Sequence, residues 1–246
     1  KVNLYLAILG RDASGFHEID TVYVRYEALQ DQIKIEPAPT LQIEFLPQAD
    51  PKGLLSKNVA NGHNLSIEGI DSENNTVLKT IRSLEKKTGR AFNYKITIHK
   101  KIPLRSGLGG ASSNAASLLL HLNEAEGIGL NCEELMVLGM QIGMDVPFFL
   151  SGYEVARGTH YGEIITPLPA LPKNLRLEVG FTGISVSTKE AFAVWDKRGL
   201  HSSAPEWQSP YALHNDFEQI FQDLSFKTPS TILSGSGGAY TVLTQE

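Results

Sequence analysis

A single cysteine, Cys132, stands among 246 residues. A lone thiol can form neither an internal disulfide nor a cysteine-based zinc cluster, which excludes a stapled secreted scaffold and makes a reducing, cytoplasmic setting the expectation. Positive charge is also in short supply. Lys and Arg number 22 against 27 Asp and Glu, a net charge of -5, so no global basic field exists to hold nucleic acid or an anionic membrane. Apolar runs are short: Ser117 to Leu120 with its neighbours, and Val146 to Leu150, fall far below the ~20 residues that span a bilayer. The chain opens with neither an initiator Met nor a charged segment followed by an apolar one, and it holds no internal repeat or low-complexity tract. Its seven histidines lack zinc-type spacing, and Cys132 beside a helix start reads as a buried or half-buried thiol. What remains is ordinary globular composition, 41% hydrophobic and 20% charged. At ~150 residues per domain, this length suits one large domain or two small ones.

Periodicity divides the chain into β-rich and helical stretches. Alternation predicts strands over Val2 to Leu9, Thr21 to Tyr26, Gln32 to Ile35, Leu41 to Leu46 and Tyr94 to His99. The polar stretch from Pro47 to Asn75 reads as a long excursion, a loop with short strands. Helical spacing runs from Thr76 to Thr88 with Gly89 as stop, and from Ser112 to Glu126 with Gly127 as stop. A third helix spans Asn131 to Ile142, where Asn131 caps and Glu134 reaches back as in a capping box. Strands are expected near Glu154 to Arg157, Glu163 to Pro167, Leu175 to Phe181 and Ala239 to Thr244, with helices at Thr188 to Lys197 and Asn215 to Leu224 and a polar loop through Pro210. Pro167, Pro169 and Pro172 suggest a linker in an α+β chain of two domains.

The segment from Pro103 to Ala116, reading PLRSGLGGASSNAA, places a glycine-rich turn between a strand and an amphipathic helix. Glycines let backbone N–H groups approach a polyphosphate, the helix start adds its partial positive end, and Ser112 and Ser113 add hydroxyls. A plain strand-to-helix turn with a serine cap fits the same residues. A Walker A loop requires Gly-Lys, a dipeptide found nowhere in the chain, and the dinucleotide fingerprint requires glycine where Ser112 stands and an opening parallel unit.

This loop resembles the ATP loop of the GHMP superfamily of small-molecule kinases. The opening KVNLYL, the Gly15-Phe16-His17-Glu18-Ile19 run and the Gly143-Met144-Asp145-Val146-Pro147-Phe148 run resemble the 4-diphosphocytidyl-2-C-methyl-D-erythritol kinase family within it. Leu233 to Ala239, LSGSGGA, is similar to the superfamily's third glycine motif. The resemblance implies a two-domain GHMP kinase fold: a ribosomal-protein-S5-like ATP-binding domain over 1–166 and a ferredoxin-like domain over 167–246, the latter expected to continue past Glu246 with a closing helix and strand. It implies transfer of the γ-phosphate of ATP, with Mg2+, to the 2-hydroxyl of a cytidine-diphosphate-linked methylerythritol in the non-mevalonate isoprenoid route. It also implies a monomer or weak homodimer that binds neither nucleic acid nor membrane.

Roles follow residue by residue. By resemblance Asp145 is the general base, worth ~10²- to 10⁴-fold in rate, and Lys1 lies beside it to stabilise the transferring phosphate. Pro103, Gly107, Leu108, Gly109, Gly110, Ala111, Ser112 and Ser113 are expected around ATP, with Asn75 and Lys100 bordering the adenine. Asn3, Phe16, His17 and Phe192 are expected at the substrate, an aromatic ring stacking on the pyrimidine and His17 reading its edge. The family's usual Tyr before His is Phe16 here, which keeps stacking and loses a hydroxyl. Gly235, Ser236 and Gly237 are expected to approach the phosphates from the second domain. No protein ligand of the metal is assigned; ATP, serine and water are expected to hold it.

Plainer readings stand beside these. An Asp after a helix is often a cap, a terminal Lys or a Lys100-Lys101 pair is often solvated, Asn3 fits a solvent-facing strand position, Phe192 fits helix core, and the late glycines fit an ordinary turn. Another GHMP kinase, for mevalonate, homoserine or a sugar, is opposed by Gly15-Phe16-His17. A non-catalytic sensor is opposed by the joint presence of Lys1 and Asp145.

Overall fold

The structure, a computed structural model, describes residues 1–47, 75–204, 212–221, 224–225 and 227–245. The expected excursion after Pro47 and the loop through Pro210 lie largely outside these residues. Eleven strands are described: β1 Val2–Arg11, β2 His17–Val24, β3 Gln32–Pro37, β4 Gln42–Pro47, β5 Tyr94–Lys100, β6 Val155–Thr159, β7 Ile164–Pro167, β8 Leu175–Phe181, β9 His214–Asn215, β10 Thr231–Leu233 and β11 Ala239–Gln245. The helices are α1 Thr76–Thr88, α2 Gly110–Ala125, α3 Cys132–Ile142, α4 Val146–Ser151 and α5 Thr188–Arg198, with a 3-10 turn over Asp216–Ile220.

Helix boundaries follow local chemistry. Asn75 accepts from the Leu78 amide at 2.9 Å to start α1, and Gly89, left-handed at φ 68°, ends it. In α3 the expected capping box is formed in full, Asn131 Oδ1 accepting from the Glu134 amide while Glu134 accepts from the Asn131 amide. Ser187 and Glu190 repeat the device at α5. Three departures have physical causes. Helix α2 starts two residues before Ser112 because Gly109, and not a serine, occupies its cap position. Cys132 is exposed on the first turn of α3, not buried, since the core-facing residues of that helix are Leu135, Leu138 and Ile142. The helix expected from Asn215 shortens to a 3-10 turn, because Asn215 first pairs in β9 and its side chain then accepts from the Phe217 amide.

Three sheets organise these elements. The largest runs β7-β6-β2-β1-β9, with β9 parallel to β1 and the other pairs antiparallel. A second, β3-β5-β4, is mixed, antiparallel to β3 and parallel to β4, so the strands before the glycine loop are not uniformly antiparallel. Val77, Ile81 and Leu84 of α1, Leu118, Leu119 and Leu122 of α2, and Leu135 and Leu138 of α3 close over Ile96 and Ile98 of β5 in one core. Each such buried side chain is worth ~1.5–3 kcal/mol of transfer free energy. The third sheet, β10-β11-β8, packs Val179 and Phe181 against Val2 and Leu4 of β1.

Strand β1 is therefore covered on both faces, and its residues from Val2 to Ile8 are all buried despite their alternating pattern. The fully buried Asp216 carboxylate stitches it to the later chain, accepting from the Ile8 amide at 2.8 Å, His214 Nε2 at 2.9 Å and the Ser203 amide at 3.2 Å. Among the described residues no helix is long and apolar enough to cross a membrane. An Asp216→Ala variant strands these donors and is expected to lose ~2–3 kcal/mol of stability, read as a lower urea midpoint at neutral pH.

Candidate functional site

Lys1 immediately precedes β1, and its side chain runs beneath the glycine loop rather than into solvent. Only 3% of that side chain is exposed, and its ammonium meets three acceptors: Asn3 Oδ1 at 2.6 Å, the Gly107 carbonyl at 2.9 Å and Asp145 Oδ2 at 3.3 Å. Three N–H bonds thus have three partners. The Tyr23 hydroxyl donates to the other carboxylate oxygen, Asp145 Oδ1, at 3.0 Å, and the Lys1 ammonium lies 5.4 Å from the Tyr23 ring centre. Burial first, and then the Asp145 charge, push the Tyr23 phenol well above its ordinary range, so it remains a donor at neutral pH. Asp145 stands just before α4 but makes no capping bond, which removes the plain helix-cap reading. Asn3 is buried and donates to Thr21 Oγ1 at 2.7 Å, so it does not face solvent.

The glycine loop packs directly on Lys1. Gly107 has φ 76°, and a Cβ there would stand 1.9 Å from the Ser234 carbonyl, so both conformation and space demand glycine. Ser234 Oγ donates back to the Gly107 carbonyl at 3.3 Å and accepts from the Asn3 amide at 3.3 Å. The Ala239 amide donates to the Ser106 carbonyl at 2.9 Å. The two glycine motifs are thereby packed on each other, with Lys1 below. Helix α2 has no side-chain cap, and its first turn, Gly110, Ala111 and Ser112, lines the same cavity. Uncapped N–H groups at a helix start suit an anion. Leu108 is buried as a loop anchor, and Ser113 Oγ is occupied by the Gly110 carbonyl at 2.9 Å.

Lys100 is buried, not solvated. It pairs with Asp31, whose Oδ1 also accepts from the Lys101 and Ile102 amides at 2.8 Å and whose Oδ2 accepts from Asn114 at 2.9 Å. Lys100 thus supports the loop from beneath Gly110. Asn75 serves as the α1 cap outside the lining of the cavity, and Thr76 ties that helix to the Ala111 carbonyl at 3.1 Å.

A cavity of about 880 Å³ joins these parts, lined by Lys1, Asn3, Asp145, the loop and, at its far end, Phe16, His17 and Phe192. Its size is that of a small-molecule site. Asp12 builds the turn that presents Phe16 and His17: its Oδ1 accepts from the Ser14 amide at 2.9 Å, Ser14 Oγ at 2.6 Å and the Phe16 amide at 3.0 Å, and its other oxygen accepts from Tyr161. The Ser14 and Tyr161 hydrogen bonds hold the Asp12 carboxyl down at about 2. Phe16 is 56% exposed and leans on Tyr161 with ring centres 5.3 Å apart. Phe192 stacks on His17 at 4.2 Å and meets Phe217 edge-on at 4.9 Å, so it is both cavity wall and packing. Gly235 and Ser236 reach the cavity and Ser236 Oγ lies 3.2 Å from Thr188 Oγ1, whereas Gly237 sits behind, against Phe221.

The motifs did not disclose Tyr23, Asp31, Tyr161 or Asp196. Each lies in a segment with no signature of its own and acquires its partner from over 60 positions away. Among the described residues no group of three or more His, Cys, Asp and Glu is placed to hold a metal ion.

Gly107→Ala is expected to separate the two glycine motifs and lower the thermal midpoint by several degrees, ~1–3 kcal/mol for overpacking plus the left-handed backbone. For Asp12 the folded value is below the unfolded 3.8, so its contribution is full above that pH and vanishes as pH falls through about 2. Asp12→Asn is therefore expected to be less stable than wild type at pH 6, with urea midpoints converging by pH 2.

The GHMP kinases N terminal domain model matches residues 75–153, the stretch from α1 through α4. A 4-diphosphocytidyl-2-C-methyl-D-erythritol kinase of Carboxydothermus hydrogenoformans is 34% identical over 209 residues, 84% of this chain and 64% of that protein. One of Alcanivorax borkumensis is 32% identical over 228 residues, 89% of this chain and 68% of that protein. The chain thus spans about two thirds or slightly less of the length of these relatives. A crystal structure of 4-(cytidine 5'-diphospho)-2C-methyl-D-erythritol kinase superposes with TM-score 0.69 at 26% identity, covering 99% of this chain and 87% of that one. The α+β architecture is the two-domain GHMP kinase fold, and with this identity over most of its length the chain belongs to the 4-diphosphocytidyl-2-C-methyl-D-erythritol kinase family.

Proposed function

We propose that the chain transfers the γ-phosphate of ATP to the 2-hydroxyl of 4-diphosphocytidyl-2-C-methyl-D-erythritol. The observation that supports this most directly is the Lys1, Asp145 and Tyr23 constellation packed beside the uncapped start of α2, with Lys1, Tyr23, Asp145 and that helix start lining one cavity. Tyr23 and Lys1 hold the two carboxylate oxygens of Asp145, leaving lone pairs for a substrate hydroxyl. Asp145 takes that hydroxyl's proton as its oxygen bonds to the γ-phosphorus; the bond from that phosphorus to the β,γ-bridging oxygen breaks, and ADP leaves with the electron pair. Lys1 and the first-turn amides of α2 offset charge on the transferring group, and they do so in place, without reorganising.

Mg2+ is expected to arrive with the nucleotide, held by phosphate oxygens, water and the Ser112 hydroxyl at the cavity wall. It would neutralise phosphate charge there. Phe16, His17 and Phe192 form the end suited to a pyrimidine, with Gly235 and Ser236 toward the phosphates. The partition into 1–166 and 167–246 rests on Pro167, the last residue of β7, and on Pro169 and Pro172 after it, although β9 returns to pair with β1. A cytoplasmic location rests on the single thiol, and a monomer or weak homodimer rests on the family resemblance alone.

ADP release from the full-length protein supplied with this substrate, mevalonate or homoserine tests the reading. Turnover of the cytidine substrate is expected; turnover confined to mevalonate would sink the substrate assignment. Asp145→Asn is expected to lose ~10²-fold or more in kcat while still binding substrate, and near wild-type turnover would remove Asp145 as the base.

A further inference from the structure

The pyrimidine end of the cavity contains a carboxylate that the reaction itself does not use. Helix α5 presents Phe192 and Asp196 one turn apart, on the same face. Phe192 stacks on the His17 ring at 4.2 Å with an interplanar angle of 11°, and Asp196 Oδ1 lies 2.7 Å from His17 Nε2. The other oxygen, Asp196 Oδ2, pairs with Arg11 Nη1 at 3.3 Å. The imidazole is held by one face and one edge, and its side chain is only 7% exposed.

We propose that Asp196 is a positioning residue that sets base selectivity by fixing the tautomer of His17. This rests on the cytidine reading of the cavity. An ionised carboxylate has no proton to donate, so the 2.7 Å contact places the imidazole proton on Nε2. In the neutral ring the nitrogen left for a ligand is then Nδ1, with a lone pair and no proton. Such an acceptor pairs with an amino group and opposes a carbonyl oxygen, which is the difference between the exocyclic positions of cytosine and uracil. Arg11 occupies the second oxygen of Asp196 and offsets its charge, so the carboxylate is oriented before any ligand arrives.

Two readouts test this on the full-length protein. In ¹⁵N NMR of the histidine-labelled, ligand-free chain, with His17 assigned by a His17→Gln control, wild type is expected to show a neutral ring protonated at Nε2. Asp196→Ala is expected to shift that signal toward a mixture of tautomers. Asp196→Asn, whose amide oxygen still accepts, is expected to retain it. In kinetics, Asp196→Ala is expected to raise KM for the cytidine substrate about 10-fold and to reduce its advantage over the uridine analogue about 10-fold, with kcat and KM for ATP within about 2-fold of wild type. A wild-type His17 that is doubly protonated or protonated at Nδ1, or an unchanged cytidine-to-uridine ratio in Asp196→Ala, would overturn the proposal. Absence of turnover with the cytidine substrate in wild type would instead remove the kinase reading, and with it the selectivity claim, leaving the tautomer spectrum to decide what Asp196 does to His17.

Discussion

Everything at the centre of this molecule depends on one buried ammonium. Lys1 sits where two glycine motifs, the first strand and the segment before α4 converge, and burying its charge is tolerable only because Asn3, the Gly107 carbonyl and Asp145 meet it together. That requirement explains several features at once. Gly107 must turn its carbonyl inward, which calls for a left-handed backbone, and Ser234 then bonds to the same carbonyl from the far side. Residues more than 100 positions apart are locked into one arrangement by the demands of a single cation.

A second buried pair repeats the logic one layer down. Lys100 and Asp31 lie beneath Gly110, and the carboxylate also accepts from two backbone amides and Asn114. Such pairs contribute little net stability against apolar replacements, but losing one partner is costly, so they favour one loop geometry over its alternatives. The strand end, the loop and α2 are held in register while the helix start itself remains uncapped. A helix start suited to an anion is thereby kept uncapped in a chain of net charge -5, because backbone N–H groups add nothing to the charge sum.

Much of the fold is legible locally. Asn75, Gly89, Asn131 with Glu134, and Ser187 with Glu190 act within a few residues, so the limits of α1, α3 and α5 follow from the chain itself. The short elements are not readable in that way. Strands β9 and β10 have two and three residues and exist because other segments offer them ladder partners. The exposure of β1 is likewise a tertiary outcome: its alternation suits a half-buried strand, but a second layer covers the other face.

The site divides along the same line. The glycine loop, Asp145 and Phe16-His17 are marked in the sequence because their chemistry needs fixed residue types at fixed spacings. Tyr23, Asp31 and Asp196 carry no such mark, since a tyrosine in a strand, an aspartate in a connector and an aspartate on a helix are commonplace. Each acquires its role only when folding supplies a partner: Asp145 for Tyr23, Lys100 for Asp31, His17 for Asp196. The sequence by itself determined the residue types of the glycine loop and where most helices begin and end, because both are set within a few residues of chain. Only the tertiary structure decided which oxygens of Asp145 are taken, which lysine is buried beside it and which carboxylate orients the histidine, because those facts depend on distances between segments that no local spacing encodes.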